Sequence, residues 1–141
     1  MEHQAPPQSA VMHIIAGYWL SRAVYLAARL KLADAVDQNG ATLEALASAT
    51  GTRPNRLQRL LRALASHGFF RQQPDGTFVQ TPLSQTLRSS VPASMRALAE
   101  AELGHDHYES WRDIEGCPAH GRHRLRASVW DADLALLRRN A

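Results

Sequence analysis

The chain has 141 residues, a length typical of one domain with a modest core, and 45% of its residues are hydrophobic. The single cysteine, Cys117, excludes an intrachain disulfide framework and favours a reducing compartment. The formal net charge is +3, yet residues 1–115 carry 11 basic and 11 acidic residues, so the excess lies in residues 116–141. No charged-then-apolar signal opens the chain. We therefore expect a cytoplasmic protein whose body has no surplus charge for binding phosphates.

The first predicted element is a long helix over residues 10–30 that is apolar around most of its circumference. Such a helix must be buried on more than one side, and a domain of this size has too little core to cover it. A second copy of the chain is the simplest cover. A membrane-surface or signal-anchor helix is disfavoured because Arg22 and Arg29 interrupt the apolar run. The residues assigned to the homodimer interface are Val11, Ile15, Trp19, Ala23 and Leu26.

A short helix over residues 30–36 precedes a helix-turn-helix pattern. Thr42 is a predicted N-cap for the next helix, and Gly51 is a predicted left-handed C-terminal residue. Pro54 suits the first position of the following helix, where no backbone N–H is needed. The second helix then carries a leucine stripe at i, i+3, i+4 and i+7, and Gly68 ends it. The stripe consists of Leu57, Leu60, Leu61 and Leu64.

Two β-prone runs follow, over residues 69–71 and 77–80, separated by a turn with Asp-Gly at its tip. Short helices are predicted from Thr81 to Leu87 and over residues 93–103, and a further helical piece over residues 105–114. The order helix, tight turn, helix and hairpin is that of a winged helix-turn-helix. The predicted fold class is therefore mainly α, with one small β-hairpin and a long N-terminal dimerisation helix.

The winged helix-turn-helix pattern leaves a second function open, that of a dimeric DNA-binding transcriptional regulator. In that case Arg53, Arg56 and Arg59 would contact DNA, because a recognition helix places its polar face in the groove. The alternative is a solvated polar face opposite the leucine stripe. The balanced charge of residues 1–115 makes nucleic acid the less favoured partner.

The sequence resembles the N-terminal region of bacterial S-adenosylmethionine-dependent small-molecule O-methyltransferases. The matching strings are Gly-Tyr-Trp-Leu-Ser-Arg-Ala-Val-Tyr-Leu-Ala-Ala-Arg-Leu-Lys-Leu-Ala-Asp-Ala-Val over residues 17–36 and the helix-turn-helix over residues 43–64. Gly-Phe-Phe at residues 68–70 and Phe-Val-Gln-Thr-Pro-Leu-Ser at residues 78–84 continue the match. The resemblance implies a dimerisation domain whose winged helix does not act on DNA.

The same resemblance implies that methyl transfer is carried out by a Rossmann-like domain that follows the dimerisation domain. The 141 residues contain no glycine-rich loop of the kind that binds the cofactor in such a domain. No catalytic or cofactor-binding residue is therefore assigned, and enzyme activity of the chain alone stays an open question. In the intact parent, we expect S-adenosylmethionine as cofactor and a small hydroxylated metabolite as substrate. His107, Tyr108 and Trp111 lie where the family contributes a wall of the substrate pocket.

Residues 116–141 depart from the family pattern, so the chain is divided into a domain over residues 1–115 and a tail. We expect the tail to be disordered or, over residues 129–139, to form an adventitious helix. When the possible codons of the tail are read one base later, they can encode a string like that of the family at this position. The codons of Trp130 and Asp131 then encode a glycine in the shifted frame, and the family string has a glycine there. We infer a frameshift near residues 114–118 that truncates a methyltransferase reading frame. The coding DNA tests this, because a Rossmann domain must follow in the other frame.

A zinc site in the tail is the remaining alternative. Cys117, His120 and His123 have a Cys-x2-His-x2-His spacing, and His105 or His107 would supply a fourth ligand. Arginine- and histidine-rich tails are also what out-of-frame, GC-rich codons encode. Because the spacing is weaker than a paired Cys-x2-Cys signature, no metal ligand is assigned.

Overall fold

A computed structural model describes residues 6–105 and 107 of the chain. The chain divides into two compact units, Met1–Gly104 and His105–Ala141, and all the elements below belong to the first. The predicted boundary between residues 115 and 116 lies outside the described residues. The helices are Pro7–Arg29 (α1), Leu32–Ala35 (α2), Leu43–Thr50 (α3), Pro54–Ala65 (α4), Pro82–Gln85 (α5) and Arg96–Glu102 (α6), and the strands are Phe70–Gln72 (β1) and Phe78–Gln80 (β2).

The long N-terminal helix is confirmed, although α1 begins three residues before the predicted start. Pro7 occupies its first turn, where the missing N–H costs no hydrogen bond. Lys31 ends the run with a left-handed φ of 52°, and the chain reverses there into α2. The C-terminal part of α1 buries three alanines, whose small side chains allow close packing against α2, α4 and α6. These alanines are Ala23, Ala27 and Ala28.

The helix-turn-helix forms at the predicted residues. The Thr42 hydroxyl oxygen accepts a hydrogen bond from the Ala45 N–H at 3.2 Å, which caps α3. Gly51 has the predicted left-handed φ, 63°, and Pro54 is the first residue of α4. The four leucines of α4 divide by burial: Leu60 is partly buried, and the other three have at most 2% of their surface exposed. The fully buried members are Leu57, Leu61 and Leu64.

The hairpin is antiparallel and packs its phenylalanines into the same core as α4. Phe70 pairs with Gln80 in register, and Phe70 and Phe78 are each 1% exposed. A further pairing precedes the helix-turn-helix: Ala41 and Phe78 exchange two backbone hydrogen bonds of 2.9 Å. This bridge was not predicted. It attaches the loop before α3 to the wing, so that α2, α3 and the hairpin enclose one hydrophobic core.

A polar network joins the wing to α2. The Gln80 side-chain amide donates to the carbonyls of Ala33 and Val36, at 2.5 and 3.1 Å. Its oxygen accepts from the hydroxyl of Ser84, which is fully buried in α5. Thr81 and Ser84 form a capping box at the start of α5. Because each of these partly or fully buried polar groups has a partner, the network stabilises the contact between α2, β2 and α5.

The last described helix, α6, begins three residues after the predicted start at residue 93. Ala93 has a left-handed φ of 53°, which no α-helix accommodates, so the helical turn is delayed to Arg96. Arg96 pairs with Glu100 at 2.6 Å across one turn. The predicted fold class, mainly α with a winged helix-turn-helix and one small hairpin, is confirmed.

Gly40 lies where the Ala41 bridge brings the loop onto β2. Its φ is +88°, and a Cβ atom there would lie 2.9 Å from the Phe78 carbonyl oxygen and from a Val79 methyl. We expect Gly40→Ala to lower the free energy of unfolding by about 2–4 kcal/mol, from backbone strain plus the clash. Urea unfolding measures this loss.

Gly76 at the hairpin tip provides the matched control, because it has the same φ of +88° and no atom within 4 Å of its Cβ position. Gly76→Ala should show the strain alone, about 1–2 kcal/mol. Equal losses at the two glycines would show that the close approach to β2 is unimportant.

Asp34 connects α2 to the loop after α5. Its carboxylate accepts from the Ser89 N–H at 2.8 Å and from the Ser89 hydroxyl at 2.6 Å. Burial raises the pKa of Asp34, but these hydrogen bonds and the positive charges of Arg96 and Arg88 outweigh it, so the pKa lies below its ordinary value. The interaction is therefore complete above the unfolded pKa near 4 and is lost as the pH falls through the lower folded value.

We expect Asp34→Asn to lower the free energy of unfolding by about 1 kcal/mol at neutral pH, a value discounted for solvent exposure. The difference from wild type should shrink below about pH 4, where the wild-type carboxylate becomes protonated. Thermal unfolding between pH 3 and 7 measures it. Asp37→Asn is the control, because among the described residues the Asp37 carboxylate accepts only from a nearby loop N–H, that of Asn39. A loss that stays constant with pH would contradict the role of the charge.

Candidate dimer interface

The N-terminal part of α1 has no cover within the described chain. From Pro6 to Ile15 every residue except Ser9 is exposed, and the first buried residue of the helix is Ala23. A helical segment of only about ten residues is marginal in water when isolated, and helices in proteins are stabilised mainly by packing of their apolar side. This part of α1 is therefore a candidate association surface.

Exposed apolar side chains are concentrated on this helix. Seven of the nine large hydrophobic residues that are exposed among the described residues belong to α1, and Trp19 has 66% of its surface exposed. Apolar clusters of this kind on a small domain indicate a protein or membrane contact. We call the seven residues the α1 apolar face: Val11, Met12, Ile14, Ile15, Tyr18, Trp19 and Leu26.

Four of the five predicted interface residues belong to the α1 apolar face. Val11, Ile15 and Trp19 follow one another at intervals of four, so they form one row along the helix. Ala23 continues that row in sequence but is only 9% exposed and belongs to the core of its own chain. The reason is that the C-terminal part of α1 is covered by α2, α4 and α6.

Charged residues on α1 are held near its C-terminal end. The Arg22 guanidinium donates to the Leu103 carbonyl at 2.6 Å and lies 4.6 Å from the centre of the Tyr25 ring. Arg29 donates to the Tyr25 hydroxyl at 3.3 Å. No Lys or Arg precedes Arg22 in α1, so the row from Val11 to Trp19 carries no lysine or arginine, in keeping with the depletion of charge at interface cores.

Length and composition alone make α1 the one described helix that could cross a membrane. Its best 18-residue window has a mean hydropathy of 1.2 and is 11% buried within the chain. Core helices of soluble proteins and signal sequences meet the same criterion, so this finding is weak. It agrees with the α1 apolar face in one respect: the described residues leave most of this helix exposed.

The predicted DNA-contact, pocket-wall and metal-ligand residues lie outside the α1 apolar face or outside the described residues. Arg53, Arg56 and Arg59 are exposed on α4 or just before it, and no carboxylate of the described residues lies within 4.0 Å of them. His107 is half-buried, whereas Tyr108 and Trp111 lie outside the described residues. The same is true of Cys117, His120 and His123. Within residues 6–105 and 107, no group of three or more His, Cys, Asp or Glu residues could hold a metal ion.

Comparison with protein families matches residues 12–90 to the O-methyltransferase dimerisation domain. The chain is 39% identical over 109 residues to the phenazine O-methyltransferase PhzM of Lysobacter antibioticus, covering 77% of this chain and 32% of that enzyme. A 3-amino-4-hydroxybenzoate 4-O-methyltransferase of Streptomyces cremeus is 33% identical over 135 residues, with coverages of 93% and 36%. The second alignment therefore reaches into residues 116–141.

The fold agrees with solved structures of the same group. The crystal structure of LaPhzM superposes with a TM-score of 0.78 at 37% identity, covering 84% of this chain and 35% of that one. In sequence and structure alike, the chain spans about one third of the length of the relatives that it matches.

Proposed function

Because the chain belongs to the O-methyltransferase dimerisation-domain family, we propose that it forms a homodimer through the α1 apolar face. The exposed row from Val11 to Trp19 is the observation that supports this most directly. Two copies packed along that row would cover side chains that no described residue covers. Leu26 extends the proposed interface toward α4. Ala23 is buried in the core of its own chain and supports the interface only by positioning α1.

We propose further that this domain serves methyl transfer from S-adenosylmethionine to a hydroxyl group of a small metabolite. The support is the family, together with two relatives whose names give a phenazine and an aminohydroxybenzoate as substrate class. The cofactor and the chemistry are assigned to the two thirds of those enzymes that have no counterpart in these 141 residues. His107, Tyr108 and Trp111 stay proposed wall residues of the substrate pocket in such an enzyme. A soluble, cytoplasmic protein fits this role.

Calorimetric titration with S-adenosylmethionine, with the oligomeric mass measured on the same sample, tests both parts. We expect a dimeric mass and no binding of the cofactor to the 141-residue chain. Measurable binding would show that the cofactor site does not need a further domain, and the assignment of the chemistry to another part would be wrong. A monomeric mass at all concentrations would contradict the dimer alone.

One observation supports the second candidate, a DNA-binding regulator: the arginines of α4 have no acidic partner among the described residues. A regulator would bind duplex DNA with an affinity that falls steeply with salt and falls again in Arg56→Gln and Arg59→Gln. The charge balance of residues 1–115 favours the dimerisation domain. Absence of salt-dependent binding would remove the regulator from consideration.

A further inference from the structure

A cavity of about 530 Å³ lies where the end of α1 meets the helix-turn-helix. This volume is within the range of about 300–1,000 Å³ in which proteins hold small ligands. Among its lining residues, Leu26 is a predicted dimer-interface residue, and Arg53 and Arg56 are DNA contacts only in the less favoured function. Its lining residues are Leu26, Leu30, Thr52, Arg53, Arg56, Leu57 and Leu60.

The floor of this cavity is apolar. Leu57 is 2% exposed, Leu30 and Leu60 are partly buried, and Leu26 is 44% exposed at the edge. Four leucine side chains, two from α4 and two from the last turn of α1 and the residue after it, therefore offer an apolar surface to a ligand. An occupant with an apolar body would remove that surface from water, which is the main favourable contribution to binding at such sites.

The rim of the cavity is positively charged. Arg53 and Arg56 are exposed, and neither has a carboxylate partner among the described residues. Guanidinium groups bind carboxylates in a planar, two-point geometry and stack on aromatic rings. The Thr52 hydroxyl, which is hydrogen-bonded to Thr50 at 2.8 Å, adds a polar group at the same edge.

We propose that this cavity binds a small carboxylate with an apolar body, its carboxylate on Arg53 and Arg56 and its body on the leucine floor. Charge complementarity selects an anion over a neutral apolar ligand, and the leucines select an apolar body over an inorganic anion. An aromatic acid and a medium-chain fatty acid share this chemistry. The site lies outside the row Val11 to Trp19 and shares only Leu26 with the α1 apolar face, so the proposal requires a cavity that stays open in the dimer.

The experiment is a titration of the 141-residue protein with 1-naphthoate, followed by NMR chemical shifts or calorimetry. Octanoate shows whether the site accepts an aliphatic as well as an aromatic acid. The neutral control is 1-naphthalenemethanol, which has the same rings as naphthoate but no charge. We expect naphthoate or octanoate to bind, and the alcohol to bind about tenfold more weakly because the charged hydrogen bonds are lost. Binding should weaken as the salt concentration rises.

Arg53→Gln combined with Arg56→Gln should weaken carboxylate binding about tenfold or more. Arg59→Gln is the matched control, because Arg59 is exposed on the same helix and does not line the cavity; it should change the affinity less than about twofold. Thermal unfolding of each variant confirms that the fold is retained.

Three results would overturn the proposal: equal binding of acid and alcohol, equal effects of Arg59→Gln and the double variant, or no binding of either acid. The last case includes a cavity covered by the second copy, since Leu26 also belongs to the α1 apolar face. That case is recognised by a dimer that dissociates more readily in the double variant without any carboxylate binding. Such a result would support the dimer and contradict the ligand site.

Discussion

Trp19→Arg is expected to convert the dimer into a monomer or into aggregates. Trp19 is 66% exposed in the single chain and lies in the middle of the α1 apolar face. Burial of a large apolar side chain contributes about 1.5–3 kcal/mol, and a two-fold interface contains each residue twice. The arginine removes this contribution and adds an unpaired charge, so dissociation should become easier by at least about a hundredfold. Light scattering of the purified variant measures the mass.

Leu83→Arg is the control for this experiment. Leu83 is also a large apolar residue with 47% of its surface exposed, but it lies on α5, outside the α1 apolar face. It should leave the dimer intact. A Trp19→Arg protein that keeps a dimeric mass would show that the association surface lies elsewhere.

Leu61→Ala should produce the largest loss of stability among the substitutions considered. Leu61 is fully buried, between the helix-turn-helix and the hairpin core that contains Phe70 and Phe78. Truncation of a buried leucine costs about 2–5 kcal/mol, from lost transfer energy and the remaining cavity. Since small domains are stable by only about 5–15 kcal/mol, the variant should unfold at much lower urea concentration.

Leu60→Ala is the matched comparison, because the same atoms are removed from the same helix one residue earlier. Leu60 is only partly buried and belongs to the apolar floor of the cavity that Arg53 and Arg56 also line. We expect a loss of less than about 1.5 kcal/mol. Equal losses for the two variants would contradict the position of α4 relative to the core.

Local signals account for the parts of the fold that could be predicted. Thr42, Gly51 and Pro54 act through the backbone within one or two turns, so their sequence positions suffice to locate the helix ends. The leucine periodicity of α4 similarly defines which side is buried. These residues determine the helix-turn-helix largely without reference to the rest of the chain.

Contacts between distant residues account for what the sequence could not predict. The Ala41–Phe78 bridge, the pairing of Asp34 with Ser89 and the burial of Ala23 each depend on where separate elements meet in space. The cavity above Leu57 likewise forms only when α1 and α4 pack together. Helical periodicity places Ala23 in the exposed row, and only the tertiary packing of α1 shows that it is covered.

The exposure of α1 explains why one helix satisfies both a membrane criterion and the requirements of a dimer interface. Its apolar residues are continuous enough to suit lipid, yet the family to which the chain belongs uses this region for dimerisation. Protein interfaces and lipid both cover apolar side chains, and composition cannot separate them. A second copy explains the surface without invoking a membrane.

Hydrogen–deuterium exchange of the wild-type chain at increasing protein concentration tests the central claim most directly, because it reports both association and its location. If two copies pack along the α1 apolar face, the amides of residues 11–19 should exchange more slowly as the concentration rises, because fraying of this uncovered part of α1 is suppressed. The amides of α4 around Leu61, already buried in the single chain, should gain little. Exchange of residues 11–19 that stays equally fast at every concentration, in a protein whose mass doubles, would place the interface elsewhere and contradict the account.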